Sequence, residues 1–396
     1  MITARALHAQ GFKIPETVPE LRTYLQAAIE VEHLTIPVYM TGMYTIRAGT
    51  NRRASFTLRG VVLEEMLHMT LAANLLNAVG GEPNVAHPEF VSEYPARLPF
   101  SSGTIPDIGL RHFSPEALET FLRIEKPRSL LPDPGGDPGW TSIGQFYDAI
   151  RRGLVALVDA HGPAAVFTGD ARRQVGPEDF YNSGGEAFAV TGLPAALKAI
   201  EVIGDQGEGT DDTIFTDDDR VFGEQRQLAH YFRFNEIYTG RSYGPHDLPS
   251  TPPSGPLLDV DWDETYPIHG DSKVEDYREY EATSAVYREA VEFNTCYAKL
   301  LGFLHSAFNG RPRHMALAVP TMLELRDRAR WMYRNPHPDP VLAEEGCHAS
   351  PTFELEQAHF DEAGETVRRA VDAAGLRTGG PVDLGALAAA PGRRFA

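Results

Sequence analysis

The sequence predicts an all-α protein: a four-helix bundle with Pro/Gly-rich insertions and an additional C-terminal helical region. Three observations predict it. Two long apolar segments, 21–47 and 54–79, meet at Gly49-Thr50-Asn51; further segments repeat apolar residues at three-to-four spacing; and Pro- and Gly-rich stretches separate them. In the first segment Leu21, Leu25, Ala28, Ile29, Ile36, Tyr39 and Met43 share the helical period, beginning after Pro19. Pro37 lies inside it and predicts a kink, because proline lacks a backbone donor. The second segment carries Leu58, Val61, Val62, Met69, Ala72 and Leu76, and Gly80-Gly81 and Pro83 stop it.

Residues 83–140 are rich in Pro, Gly and aromatics and hold one predicted helix, 114–125, with Ser114 as N-cap and Pro115 in its first turn. The stretch 141–158 is amphipathic through Ile143, Phe146, Tyr147, Ile150, Leu154 and Leu157. Short strands are expected near Phe167 and over 188–190. Pro194 opens a helix over 195–205, and after an acidic loop a long helix over 220–238 carries His230. Residues 240–270 read as an ordered loop, followed by a helical pair, 275–308 and 313–333. The tail 375–396 is Gly/Ala/Pro-rich and predicts weak order. The resulting division is a bundle over 1–240 with the insert 83–140, a linker over 241–274, and a helical region over 275–396 that packs on the bundle.

The chain has 396 residues, 42% of them hydrophobic, enough for a substantial core. Its formal charge of −19, from 36 basic and 55 acidic residues, argues against nucleic-acid or anionic-membrane partners, which need a basic surface. Two cysteines, Cys296 and Cys347, fit a reducing cytoplasm. No basic region followed by an apolar run marks a signal peptide, and no apolar run of ~18 residues marks a membrane span. A cytoplasmic protein is expected, and nothing in the sequence forbids a homo-oligomer.

The chemistry is concentrated at one depth of the first hairpin. Glu32 lies 17 residues before Gly49, while Glu65 and His68 lie 14 and 17 after Asn51. At ~1.5 Å per residue these groups share a level roughly 25 Å from the turn. Both segments are otherwise apolar, so the charges face an interior, where a carboxylate must be paired or bound to a metal. Glu65 and His68 are spaced i, i+3 on one face, the Glu-x-x-His element of carboxylate-bridged metal bundles. The competing arrangement is a salt-bridged His–Glu cluster without metal. Tyr39, seven residues beyond Glu32, points the same way and could hydrogen-bond a ligand or a bound oxygen species, joining Glu65 and His68 as catalytic candidates.

In the second half His230 is the natural imidazole, but position 227, three residues earlier, is Gln, a weak neutral ligand. Its partner carboxylate is Glu201 if the long helix starts near Arg220, or Glu208 if it starts near Glu224; the spacing leaves both open. Glu30 and Glu64 flank the proposed ligands and could orient them. His33 points about 100° from Glu32 and reads as packed, as do His305 and His314. No thiol nucleophile, Gly-rich phosphate loop or Gly-x-Ser-x-Gly elbow is present.

Two runs carry a family resemblance: Leu-Gln-Ala-Ala-Ile-Glu-Val-Glu-His-Leu-Thr-Ile-Pro-Val-Tyr (25–39) and Val-Leu-Glu-Glu-Met-Leu-His-Met-Thr-Leu-Ala-Ala-Asn-Leu-Leu-Asn-Ala-Val-Gly-Gly-Glu-Pro (62–83). Gln-Gly-Glu-Gly (206–209), His-Tyr-Phe-Arg-Phe-Asn-Glu-Ile (230–237) and Ser-Pro-Thr-Phe-Glu (350–354) extend it. The chain resembles the ferritin-like domain of iminophenylpyruvate dimer synthases, which include chromopyrrolate-forming and violacein-pathway members. The resemblance implies a ferritin-like bundle, an oxidative role in bacterial secondary metabolism, and metal ligation by Glu32, Glu65, His68, Glu208 and His230. Gln227 departs from the pattern, standing where diiron relatives have an acid, so the number and identity of ions stay open. The expected enzyme binds one or two iron ions, or manganese, and uses O2 or peroxide to oxidise a small amino- or imino-acid-like substrate, with the insert 83–140 shaping the pocket. The rival expectations are oxidative coupling of two imino-acid monomers and a non-catalytic metal-binding scaffold.

Overall fold

Thr17 opens the first helix: its hydroxyl accepts from the Glu20 N–H at 3.2 Å, and α1 then runs Val18–Thr45. This computed structural model describes residues 12–91, 93–131, 139–180, 185–209, 213–216 and 227–375. Helix α1 continues through Pro37, which lies inside it. Its flanks are buried on all sides, so packing outweighs the missing donor. The turn to α2, Arg52–Ala78, places Gly49 at φ 93° and Asn51 at φ 42°, both left-handed. The Asn51 side chain also holds the backbone of Asp261, donating to its carbonyl at 2.7 Å and accepting from its N–H at 2.8 Å. That pair pins the segment 241–274 to the hairpin.

Ser114 caps α3 (Pro115–Ile124) and Ser142 caps α4 (Ile143–His161), each accepting from the N–H three residues on. Then follow α5 (Leu193–Glu208) and α6 (His230–Thr239). Four helices close a ring, α1 on α2, α2 on α5, α5 on α4 and α4 back on α1, while α3 and α6 pack together over one end of its interior. Outside the α1–α2 pair lie α7 (Val286–Phe308), α8 (Met315–Arg334) and α9 (Gln357–Ala373), with α7 between the other two and α8 against α1. One hydrophobic cluster runs from Leu21 to Val371 through both layers. No described helix is long and apolar enough to cross a membrane.

Several elements differ from expectation. No strand forms near Phe167 or over 188–190 among the described residues. Side-chain amides replace the ladder: Asn74 of α2, fully buried, donates to the carbonyls of Val175 and Phe188 (2.9 Å each) and accepts from the Val175 N–H. Gln174 bonds both backbone groups of Val190. Within the helix expected over 220–238 the described helix begins at His230, and residues 220–226 of that span lie outside the described residues. The segment 275–308 splits into Val274–Arg278 and α7. Helix α9 was not expected, although Phe360, Ala363, Val367 and Val371 bury one stripe of it. Most of the weakly ordered tail expected over 375–396 falls outside the described residues.

Two predictions follow from this packing. Asn74→Ala removes three buried hydrogen bonds and strands three backbone groups, so it should destabilise the fold by on the order of 3 kcal/mol in urea titration. Burial pushes buried His305 down to about 4. Below pH ~6.5 the unfolded chain binds a proton that the folded one refuses, so this contribution is complete above 6.5 and fades as pH falls toward 4. His305→Leu should therefore flatten that acid limb, worth roughly 3 kcal/mol, in stability measured against pH.

Candidate metal centre

The inward faces of α1 and α2 deliver Glu32, Glu65 and His68 to one buried spot, as the depth of the hairpin predicts. Their ligand atoms lie within 4.8 Å of one another. His68 Nδ1 is 3.4 Å from Glu32 Oε2 and 3.8 Å from Glu65 Oε2. Beside this group sits a second, Glu65, Glu125 and His230, equally buried. His230 Nδ1 lies 3.1 Å from Glu65 Oε1 and 3.6 Å from Glu125 Oε2. Glu65 thus gives one oxygen to each side, between imidazole rings whose centroids are 5.6 Å apart.

Sequence reasoning missed Glu125. It caps the C-terminus of α3 one step beyond the buried stripe of Ala117 and Phe121, and an acid at the end of an apolar stripe was the available signal. His230 is the first residue of α6, so no preceding helical turn exists to carry a ligand at 227.

A shell of partners fixes each ligand. Tyr147 of α4 donates to Glu32 Oε1 at 2.6 Å, and Tyr39 of α1 donates to Glu125 Oε1 at 2.5 Å. His68 Nε2 meets Gln206 Oε1 of α5 at 2.7 Å. His230 Nε2 meets Glu64 Oε2 at 2.7 Å, and Arg233 holds the same carboxylate at 2.8 and 3.0 Å. Glu64 thus holds the His230 ring in place. In both imidazoles Nε2 faces an outward acceptor, which turns Nδ1 inward. His230 Nδ1 is buried and makes no hydrogen bond.

Burial and charged neighbours shift every group of the cluster. Burial pushes Glu32 up to about 7 against the pull of His68. Burial likewise raises Glu125, helped by the charge of Glu65. Glu65 itself stays well below the usual carboxylate range, because His230 and His68 outweigh its desolvation. Burial opposes charge on His68, yet Glu32 and Glu65 lift it to about 10. Four carboxylates face two imidazoles and one guanidinium, with an orphaned nitrogen among them. Carboxylate and imidazole donors of this kind suit iron or manganese.

The other sequence-predicted residues lie apart. Glu201 is exposed and pairs with Lys198 at 3.1 Å, because it occupies the outer face of α5. Glu208, in the last turn of α5, accepts from the backbone N–H groups of Gly144 (2.5 Å) and Arg128 (3.0 Å). Its carboxylate sits on the N-terminus of α4, where a Cβ on Gly144 would approach its Oε2 to 2.5 Å. Gln227 is exposed and precedes α6; its side chain accepts from Arg233 at 3.4 Å. Glu30 accepts from Gln26 instead of touching a ligand. His33 packs against Tyr297 and His314 against Ser306, as structural histidines do.

The ferritin-like family matches residues 25–239, the span that supplies every residue of both groups. The chain is 27% identical over 357 residues to a dichlorochromopyrrolate synthase of Lentzea aerocolonigenes, across 80% of this chain and 31% of that one. It therefore spans about a third of the length of that curated relative. A crystal structure of a ferritin-like protein from Caulobacter vibrioides superposes with a TM-score of 0.55 at 22% identity, covering 85% of this chain and 98% of the other. That likeness concerns the fold.

Glu64→Ala would leave Arg233 and the His230 ring buried without their partner. It should destabilise by roughly 3 kcal/mol, whereas exposed Glu201→Ala should stay within about 0.5 kcal/mol. Urea denaturation of the two variants side by side measures the difference.

Proposed function

Because this chain belongs to the ferritin-like family, we propose that it is an oxidoreductase that holds iron or manganese in the paired Glu/His groups and uses O2 or peroxide to oxidise a small amino-acid-derived metabolite. One observation carries the reading: Glu65 lies between two inward-facing imidazole nitrogens, each flanked by a further buried carboxylate. The relative named as a dichlorochromopyrrolate synthase favours a place in secondary metabolism and an amino- or imino-acid-like substrate. Coupling of two imino-acid monomers is the narrower form of the same reading, favoured by that name.

Glu32, Glu65 and His68 would hold one ion, and Glu65, Glu125 and His230 a second. When bound, the metal supplies a redox-active centre at which the oxygen species is activated. The chain's own residues prepare that chemistry. Tyr147 occupies Glu32 Oε1 and leaves Oε2 turned toward His68. Gln206 fixes the His68 tautomer, and the Glu64–Arg233 pair fixes that of His230. Tyr39 keeps its proton, since burial and the neighbouring carboxylates raise it well above the ordinary phenol, and holds that proton at Glu125 Oε1. Phe121 and Phe234, at 4.8 and 5.2 Å from the Tyr39 ring, exclude water from this side.

Elemental analysis of purified protein should find one or two iron or manganese ions per chain, and Glu65→Ala should lose them. Gln206→Ala should weaken metal affinity by about tenfold or more, as removal of an orienting partner does. Oxygen consumption with candidate amino and imino acids then separates catalysis from storage. Wild-type protein that binds neither metal, with stability unchanged in Glu65→Ala, would leave a scaffold and defeat the proposal.

A further inference from the structure

On the opposite side of the α1–α2 pair from the metal centre lies a cavity of about 1010 Å³, walled by α1, α2, α7 and α8. We propose that it is a second binding site, taking a long-chain amphipathic carboxylate with the chain inside and the head group at an arginine-lined mouth. The assignment is independent of the chemistry proposed for the metal centre.

The mouth lies at the hairpin end. Arg47 comes from the turn, Arg52 and Arg59 from α2, and Arg326, Arg330 and Arg334 from α8. No Asp or Glu lines the cavity among the described residues, in a chain with 55 acids against 36 bases. Such one-signed clustering runs against the composition and implies an anionic guest. Arg326 pairs with Asp327 at 2.9 Å, and Arg47 and Arg330 lie over the rings of Tyr266 and Tyr44. Phe56 and Leu323, 66% and 47% exposed, stand beside these guanidinium groups, so the entrance is itself amphipathic.

Behind the mouth the lining becomes apolar. Along α2 it runs from Arg59 through Val62 and Met66 to Met69 and Thr70; along α8 it runs from Arg326 through Met322 and Val319 to Met315. Each wall spans twelve residues, about 16 Å of helix. Leu300, Leu304 and Phe308 of α7 close the far end. A planar ring or free amino acid would fill only part of so long a slot, whereas an extended acyl chain fills it. Six of the chain's 8 methionines line it, and their unbranched, polarizable side chains adapt to a flexible guest without demanding one shape.

The test uses the full-length protein and isothermal titration below the micellar limit with hexadecanoate, hexadecanol, hexadecyltrimethylammonium and indole-3-acetate. Hexadecanoate should bind at a single site, the alcohol about tenfold or more weakly, and the cation not measurably. Arg59→Glu/Arg330→Glu, at exposed positions, should weaken hexadecanoate by at least about tenfold, and Val319→Trp, which fills the slot, should abolish binding. Circular dichroism melting checks that each variant folds, and the surface pair keeps the test intact if the tryptophan variant does not. Absence of hexadecanoate binding, binding indifferent to the arginines, or tighter binding of indole-3-acetate each overturns the assignment. So does a wild-type dimer that the arginine pair converts to monomer in sedimentation, which would give the mouth to a second copy.

Discussion

The arrangement of this molecule turns on one buried carboxylate. Glu65 is 3% exposed and lies in a helix whose neighbours are nearly all apolar. A lone anion there would be driven to protonate, yet His68 on one side and His230 on the other keep it ionised. Those two imidazoles need fixed positions to do this, and the fixing reaches through the fold. Gln206 brings in α5, the Glu64–Arg233 pair brings in α6, and Tyr147 brings in α4 through Glu32. The ring of helices and the small cap of α3 and α6 are thus joined by polar contacts inside an otherwise dry core. A core of this kind specifies its geometry more sharply than apolar packing alone, because every misplacement leaves a charge unpaired.

How much of this was legible depends on how local each relationship is. Glu32, Glu65 and His68 were readable because both helices are long and share one tight turn, so sequence distance converts directly to depth. Tyr39 followed from the same period, although its hydroxyl serves Glu125 and not the hairpin's own carboxylates. Glu125, Tyr147 and Gln206 arrive from separate elements after irregular connections, where no rise per residue applies. Glu201 and Glu208 show the limit of helical bookkeeping. Seven residues place two side chains near one azimuth, but the first ends on the solvent side beside Lys198 and the second reaches past the helix end to cap α4. Gln227 was judged as the third residue before a ligand in a helix, and the helix starts too late for that comparison to hold.

The α1–α2 pair is a wall with two working faces. Consecutive residues divide between them: Glu32, Glu65 and His68 turn toward the metal centre, while His33, Met66 and Met69 turn toward the large cavity. A rotation of about 100° per residue makes this division automatic. It also explains why both helices are apolar nearly all round, since neither has a broad face in water. The ring of helices covers one side, and α7 with α8 the other. Pro37 is tolerated in this setting, because tertiary packing on both flanks holds the helix where local hydrogen bonding does not.

Protons and a metal ion would compete for the same buried acids and imidazoles. The acids around them raise both His68 and His230, so without metal these imidazoles favour their protonated forms, with Arg233 beside Glu64 as a further positive charge. A cation held there would meet the Nδ1 atoms, while Nε2 keeps its partners in Gln206 and Glu64. The outer contacts are therefore common to both states, and only the interior of the cluster changes occupant. An arrangement of this kind would keep its shape without a cation and be ready to hold one.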